Sequence, residues 1–149
     1  MNFIVDANIV FSAILNTNGK IADLLINSKD FFDFIAPDFL QTEIRKHYPR
    51  LAAISGMDLP ELRESELHVT SEIRFVALTQ IRSGSWKSAY QLVSDVDEKD
   101  TSYIACTKQF RCRLWSGDKQ LMKGLAKKNF TQFITTDELY KLREKLRAK

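Results

Sequence analysis

Apolar residues fall along this chain in two rhythms. Short unbroken runs read as buried strands, and they alternate with stretches whose apolar positions recur three or four residues apart, as on one face of a helix. Residues 2–5 are the first run, closed by Asp6. Ile9, Val10, Ala13 and Ile14 then form one helical stripe, and Ile21, Leu24 and Leu25 the next. Residues 31–36 are rich in aromatics and stop at Pro37, which predicts a second strand. Pro37 suits the first turn of a helix through Leu40, Glu43, Ile44 and His47, and Pro49 ends or kinks that helix. Residues 51–67 read as helical with breaks at Gly56 and Pro60, and residues 73–78 suggest a third strand interrupted by Arg74. Helices are expected over 85–93 and 97–110, then a strand over 113–116 ending at Gly117-Asp118, and a helix to about Lys128. A fifth strand over 131–135 precedes Thr136-Asp137-Glu138, which opens a last helix with Leu139, Leu142 and Leu146 on one face.

Strands alternating with helices predict an α/β three-layer sandwich around a five-stranded, mainly parallel sheet. In such sheets ligands bind beyond the carboxyl ends of the strands. With 149 residues the chain has the length of a single domain spanning 1–149, able to bury a core without disulfides or metals. Two Cys exclude a disulfide framework, and no apolar run reaches the length of a membrane span. The expected setting is cytoplasmic, with no membrane partner.

Charge adds an asymmetry. Of 22 basic and 19 acidic side chains, residues 141–149 hold five and one, so the remaining 17 and 18 leave the body slightly acidic. Such a body meets a polyanion only through the basic tail, local patches or bound cations.

The fold rule selects the acids at strand ends. Asp6 closes the first strand, and Asp118 follows the fourth after Gly117. Asp97 and Asp100 share one helix face at i, i+3, and Glu43 lies on the polar side of the helix after the second strand. Gathered at one end of a parallel sheet, these carboxylates repel one another, and a divalent cation relieves that repulsion. Hard oxygen donors favour Mg²⁺ or Mn²⁺, while two scattered His and two Cys make a zinc site a poor fit. Each acid also suits a structural role. Asp97 and Asp118 fit as helix caps, Asp97-x-x-Asp100 is close to a capping box, and Glu43 has Lys46 and His47 within reach.

Four segments resemble, in order, the motifs of PIN-domain ribonucleases. They are Phe3-Ile-Val-Asp-Ala-Asn-Ile-Val-Phe-Ser-Ala-Ile-Leu, Pro37-Asp-Phe-Leu-Gln-Thr-Glu-Ile, Asp97-Glu-Lys-Asp-Thr-Ser-Tyr-Ile-Ala and Leu114-Trp-Ser-Gly-Asp-Lys-Gln-Leu. The match is colinear and runs from Phe3 to about Leu139. The resemblance implies a carboxylate pocket that binds Mg²⁺ or Mn²⁺ and an endoribonuclease that hydrolyses RNA phosphodiester bonds. It assigns catalytic roles to Asp6, Glu43, Asp100 and Asp118, and metal binding to Asp6, Asp97, Asp100 and Asp118, with Asp97 an accessory acid. Asn8 and Ser116 match small polar positions beside the pocket. Gln120 stands where some members carry a further acid, which weakens the case for a second metal. The chain's size suits small stand-alone members, which include VapC-type toxins of toxin–antitoxin pairs, so an antitoxin protein is an implied partner.

Other residues stay open between two uses. Lys119, Lys123 and Lys127 recur at i, i+4, i+8 after Asp118, either as a solvated helix face or as a stripe following RNA phosphates; Arg45 and Lys46 beside Glu43 offer the same pair of uses. The tail at 141–149 either extends an RNA surface or ends a soluble helix. Trp115 belongs to the core, Trp86 is the more exposed of the two Trp, and Cys106 faces the core. Apolar positions in 9–26 and 51–67 serve the core, a homodimer seam or a groove for an antitoxin helix. Two further functions compete with the ribonuclease. One is a non-catalytic PIN-like module that binds RNA or protein. The other is an aspartate-nucleophile phosphatase, disfavoured by Asn8 where a second acid is needed.

Overall fold

The computed structural model describes residues 1–96 and 98–149. Five strands, β1 (Asn2–Val5), β2 (Asp33–Pro37), β3 (Ile73–Val76), β4 (Arg113–Trp115) and β5 (Phe133–Ile134), form one all-parallel sheet in the order β3-β2-β1-β4-β5. Among the described residues the helices are α1 (Ala7–Leu15), α2 (Lys20–Ile26), α3 (Phe39–Lys46), α4 (Tyr48–Ser55), α5 (Leu59–Val69), α6 (Ser83–Val93), α7 (Thr101–Phe110), α8 (Lys119–Ala126) and α9 (Thr136–Arg147).

Side-chain alternation along the strands builds the three layers. Phe3, Val5, Phe34, Ala36 and Trp115 point to one face, where they pack with buried residues of α1, α2, α3, α5 and α9. Ile4, Ile35 and Leu114 point to the other and meet α6, α7 and α8. Aromatic edges lock the first layer: Phe3 meets Phe32 in a T-shaped pair at 5.2 Å, and Phe34 lies 5.4 Å from Trp115. Trp115 is fully buried, with its indole N–H donating to Thr136 Oγ1 at 3.0 Å. Burial pushes the thiols of Cys106 and Cys112 up to about 12 and about 11.

The boundaries differ from the sequence expectation where proline and glycine act. Pro37 ends β2 rather than starting a helix, because its ring fixes φ but leaves its carbonyl free for the ladder. Pro49 sits in the first turn of α4, so the expected single helix divides at His47 into α3 and α4. Gly56, with φ of 74°, ends α4, and Asp58 opens α5 through a capping box with Glu61. Thr135 and Glu138 form the matching box at α9.

The basic tail is more structural than its charge suggests. Arg143 is 1% exposed; its guanidinium donates to Asp23 Oδ2 at 2.5 Å and to Ser28 Oγ at 3.0 Å, tying α9 to α2. Among the described residues no single helix is long and apolar enough to cross a membrane.

Candidate active site

The strand order turns at β1. From β1 the chain progresses outward through β2 and β3, then returns to the other side for β4 and β5, so the reversal lies between β1 and β4. The carboxyl ends of those two strands flank the crevice where open α/β sheets bind ligands. Asp6 follows β1, and Ser116-Gly117-Asp118 follows β4. The ladder continues one step further, as the Asp6 N–H donates to the Trp115 carbonyl at 3.2 Å. The two acids, 112 positions apart in sequence, are thus brought together by topology alone.

Ser116 joins them. Its fully buried hydroxyl donates to Asp6 Oδ2 at 2.7 Å and accepts the Asp118 N–H at 3.0 Å. Asp118 Oδ1 accepts the Leu121 N–H at 3.0 Å and so caps α8. Capping and a place at the crevice coexist, since the cap occupies one carboxylate oxygen. Asp6 is 5% exposed. Burial pushes its carboxyl above the usual carboxylate range and the neighbouring Asp118 charge adds to this, while the Ser116 hydroxyl and the Ala7 and Asn8 amides pull it partly back.

Tyr103 lies within electrostatic reach of the remaining acids. This residue of α7 is 3% exposed, and its hydroxyl has no hydrogen-bond partner among the described residues. Burial raises its pKa, and the charges of Asp6, Glu43 and Asp100 raise it further. Glu43 lies on α3 with its Oε2 3.5 Å from His47 Nε2. Asp100 occupies the N-cap position of α7.

Asp97 lies outside the described residues. Asn8 is exposed in the first turn of α1. Lys119 and Lys123 are exposed on α8 just beyond Asp118, and Arg45 and Lys46 are exposed in the last turn of α3. Among the described residues, no three His, Cys, Asp or Glu side chains stand in an arrangement that could hold a metal ion. In donor type the site suits a hard divalent cation: it offers carboxylate oxygens, and one of them is buried beside a like charge. Sequence reasoning passed over Tyr103, although its position three residues after Asp100 puts both on one helix face.

The sequence matches the PIN domain family over residues 4–144. The chain belongs to the PIN-domain family. Its fold is similar to that of a chain in the crystal structure of VapBC2 from Rickettsia felis bound to a DNA fragment from their promoter. The TM-score is 0.56 at 14% identity, over 91% of this chain and 97% of that chain. At that identity the likeness is one of fold. A search of curated proteins gives no match. The PIN-domain match spans Asp6, Glu43, Asp100 and Asp118.

Proposed function

We propose that this PIN-domain chain is a divalent-metal-dependent endoribonuclease, the toxin of a toxin–antitoxin pair. The observation that carries the reading is the Asp6–Ser116–Asp118 junction at the reversal of the sheet. There a buried carboxyl group, whose ionisation burial opposes, sits beside a second one, so that charging both has a cost unless a cation shares it.

Asp6, Asp100 and Asp118 would hold Mg²⁺ or Mn²⁺, with Glu43 and Asp97 supporting. Such a cation supplies a lowered pKa for an attacking water and positive charge against the phosphate oxygens. The chain's own residues do the rest. Ser116 fixes the rotamer of Asp6 and the turn carrying Asp118, so both carboxylates face the crevice before substrate arrives. Asp100, at the N-cap position of α7, would complete the set. Glu43, steadied by His47, accepts the proton of the attacking water. Lys119 and Lys123 on one side, and Arg45 and Lys46 on the other, contact the phosphates flanking the cleaved bond. The exposed Ile54 on α4 and Leu59 and Leu67 on α5 form the apolar surface offered to an antitoxin.

Incubation of the purified protein with total cellular RNA tests the reading. Discrete fragments with Mg²⁺ or Mn²⁺, and none with chelator, are expected. Intact RNA under both conditions, or equal cleavage in chelator, would refute it.

A further inference from the structure

A recess of about 600 Å³ opens between α6 and the head of α7, lined by Ser83, Trp86, Lys87, Tyr90 and Thr101. Trp86 and Tyr90 stand at i, i+4 on α6 and present two aromatic side chains to one groove. The Trp86 indole is oriented by its N–H, which reaches the Leu78 carbonyl at 3.4 Å. Tyr90 is 50% exposed, a large share for an aromatic with no other evident use. Lys87 is the one charged residue of the lining, and it makes no ion pair among the described residues. The far wall is Thr101, whose neighbour in the chain is Asp100, a candidate catalytic acid.

We propose that this recess is a base-binding subsite, in which a nucleobase of single-stranded RNA adjacent to the cleaved phosphate stacks on Trp86 and Tyr90 while Lys87 contacts its phosphate. The proposal rests on the ribonuclease reading for its substrate and deepens it, by naming what selects the cleavage position. Three observations favour RNA over a protein side chain as occupant. The paired aromatic walls are a stacking platform of the kind that accepts any π-face. The lining's charge is purely positive, which complements a phosphate. Thr101 of the lining is bonded in the chain to Asp100, one of the candidate catalytic acids. A bound strand would therefore run from the carboxylates over Thr101 to the aromatics, so a base enters the recess only when the neighbouring phosphate is at the site. Stacking of this kind tolerates several bases, with preference for those that stack most strongly.

Tryptophan emission reads the recess directly, because Trp115 is fully buried and only Trp86 is open to a ligand. Oligoadenylate is titrated into the full chain in chelator, where cleavage is suppressed, beside an abasic oligonucleotide with the same number of phosphates. Oligoadenylate is expected to quench the emission, and the abasic strand to leave it unchanged. Tyr90→Ala should weaken binding about 5-fold or more, the scale of one aromatic–base stack. Lys87→Gln should flatten its salt dependence by slightly under one unit of slope. Read by the anisotropy of end-labelled oligoadenylate, since these variants lack the reporting indole, Trp86→Phe should retain most of the affinity that Trp86→Ala loses, with all variants melting cooperatively near the wild type. Absent quenching, equal quenching by the abasic strand, or unchanged affinity in Tyr90→Ala would overturn the proposal. Quenching does not depend on cleavage, so the subsite and the ribonuclease reading fail separately. A protein that cleaves RNA but shows no quenching loses only the subsite, and one that quenches without cleaving loses only the nuclease.

Discussion

Replacing Asp6 by Asn keeps the size of the side chain and an acceptor for the Ser116 hydroxyl while deleting the charge. In the wild type that charge is 5% exposed, faces Asp118, and is supported by a 2.7 Å hydrogen bond from Ser116. An unpaired buried charge costs several kcal/mol, and a hydrogen bond to a charged group returns about 1.5–3 kcal/mol. The remainder left against the folded state is on the order of 1 kcal/mol, so Asp6→Asn should melt about 2–4 °C above the wild type in chelator at neutral pH. The sign with pH follows from the raised carboxyl. Protonation of Asp6 favours the folded protein, so the wild type is penalised above the raised pKa and the penalty fades as pH falls through it. The two melting curves should therefore converge in acid. Mn²⁺ at a hundred times its dissociation constant adds about 2.7 kcal/mol to a protein that binds it only when folded. The wild type should gain this stabilisation and the variant should lose most of it, reversing their order. Differential scanning calorimetry with and without Mn²⁺ reads both effects. An Asn variant that melts lower in chelator, or that gains as much from Mn²⁺ as the wild type, would refute the electrostatic account of the junction.

Ser116→Ala removes the donor to Asp6 and the acceptor for the Asp118 amide, and should cost about 2 kcal/mol in urea unfolding, more at neutral pH than in acid because the lost bond favoured ionised Asp6. Tyr103→Phe deletes a buried hydroxyl without a hydrogen-bond partner among the described residues, so the apo protein should be as stable as the wild type or about 1 kcal/mol more so; a clear loss of stability in chelator would contradict that. Asp23→Ala leaves the buried Arg143 guanidinium with only the more distant Glu144 carboxylate at 3.6 Å, and should cost about 2–3 kcal/mol, below the range for fully buried pairs because Asp23 is 41% exposed and Glu144 remains. Arg143 holds the Asp23 carboxyl below the usual range, so this contribution is present at neutral pH and should fade as pH falls through the lowered value; a pH-independent effect in acid titration would count against the pair.

Much of this fold was legible because its signals are local. The apolar runs at 2–5 and 113–116 and the stripes of α1, α2 and α9 are periodic enough to read directly, and each strand-closing acid sits where a parallel sheet places ligands. What escaped reading was three-dimensional. Nothing in the spacing of Ser116 states that its hydroxyl would bridge Asp6 and the Asp118 turn, since that contact depends on β1 and β4 being neighbours. Tyr103 looks like a core aromatic until the charges of Asp6, Glu43 and Asp100 are found to act on its buried hydroxyl. Arg143 read as part of a basic tail that either extends an RNA surface or ends a soluble helix, because burial against Asp23 and Ser28 is set by how α9 packs on α2. The helical reading of 51–67 put Gly56 and Pro60 as breaks in one element. The structure makes them the end of α4 and the start of α5, with Asp58 capping the latter.

The central claim is that Asp6 and a divalent cation act together on RNA. The most direct measurement is the rate at which end-labelled RNA, in Mn²⁺, is cut by the wild type and by Asp6→Asn under conditions where both are fully folded. The account predicts site-specific cuts by the wild type that vanish with chelator, and a rate about 100-fold lower or less in the variant, the scale of losing one group that acts in the transition state. Equal rates for the two proteins, or cutting that persists in chelator, would contradict it.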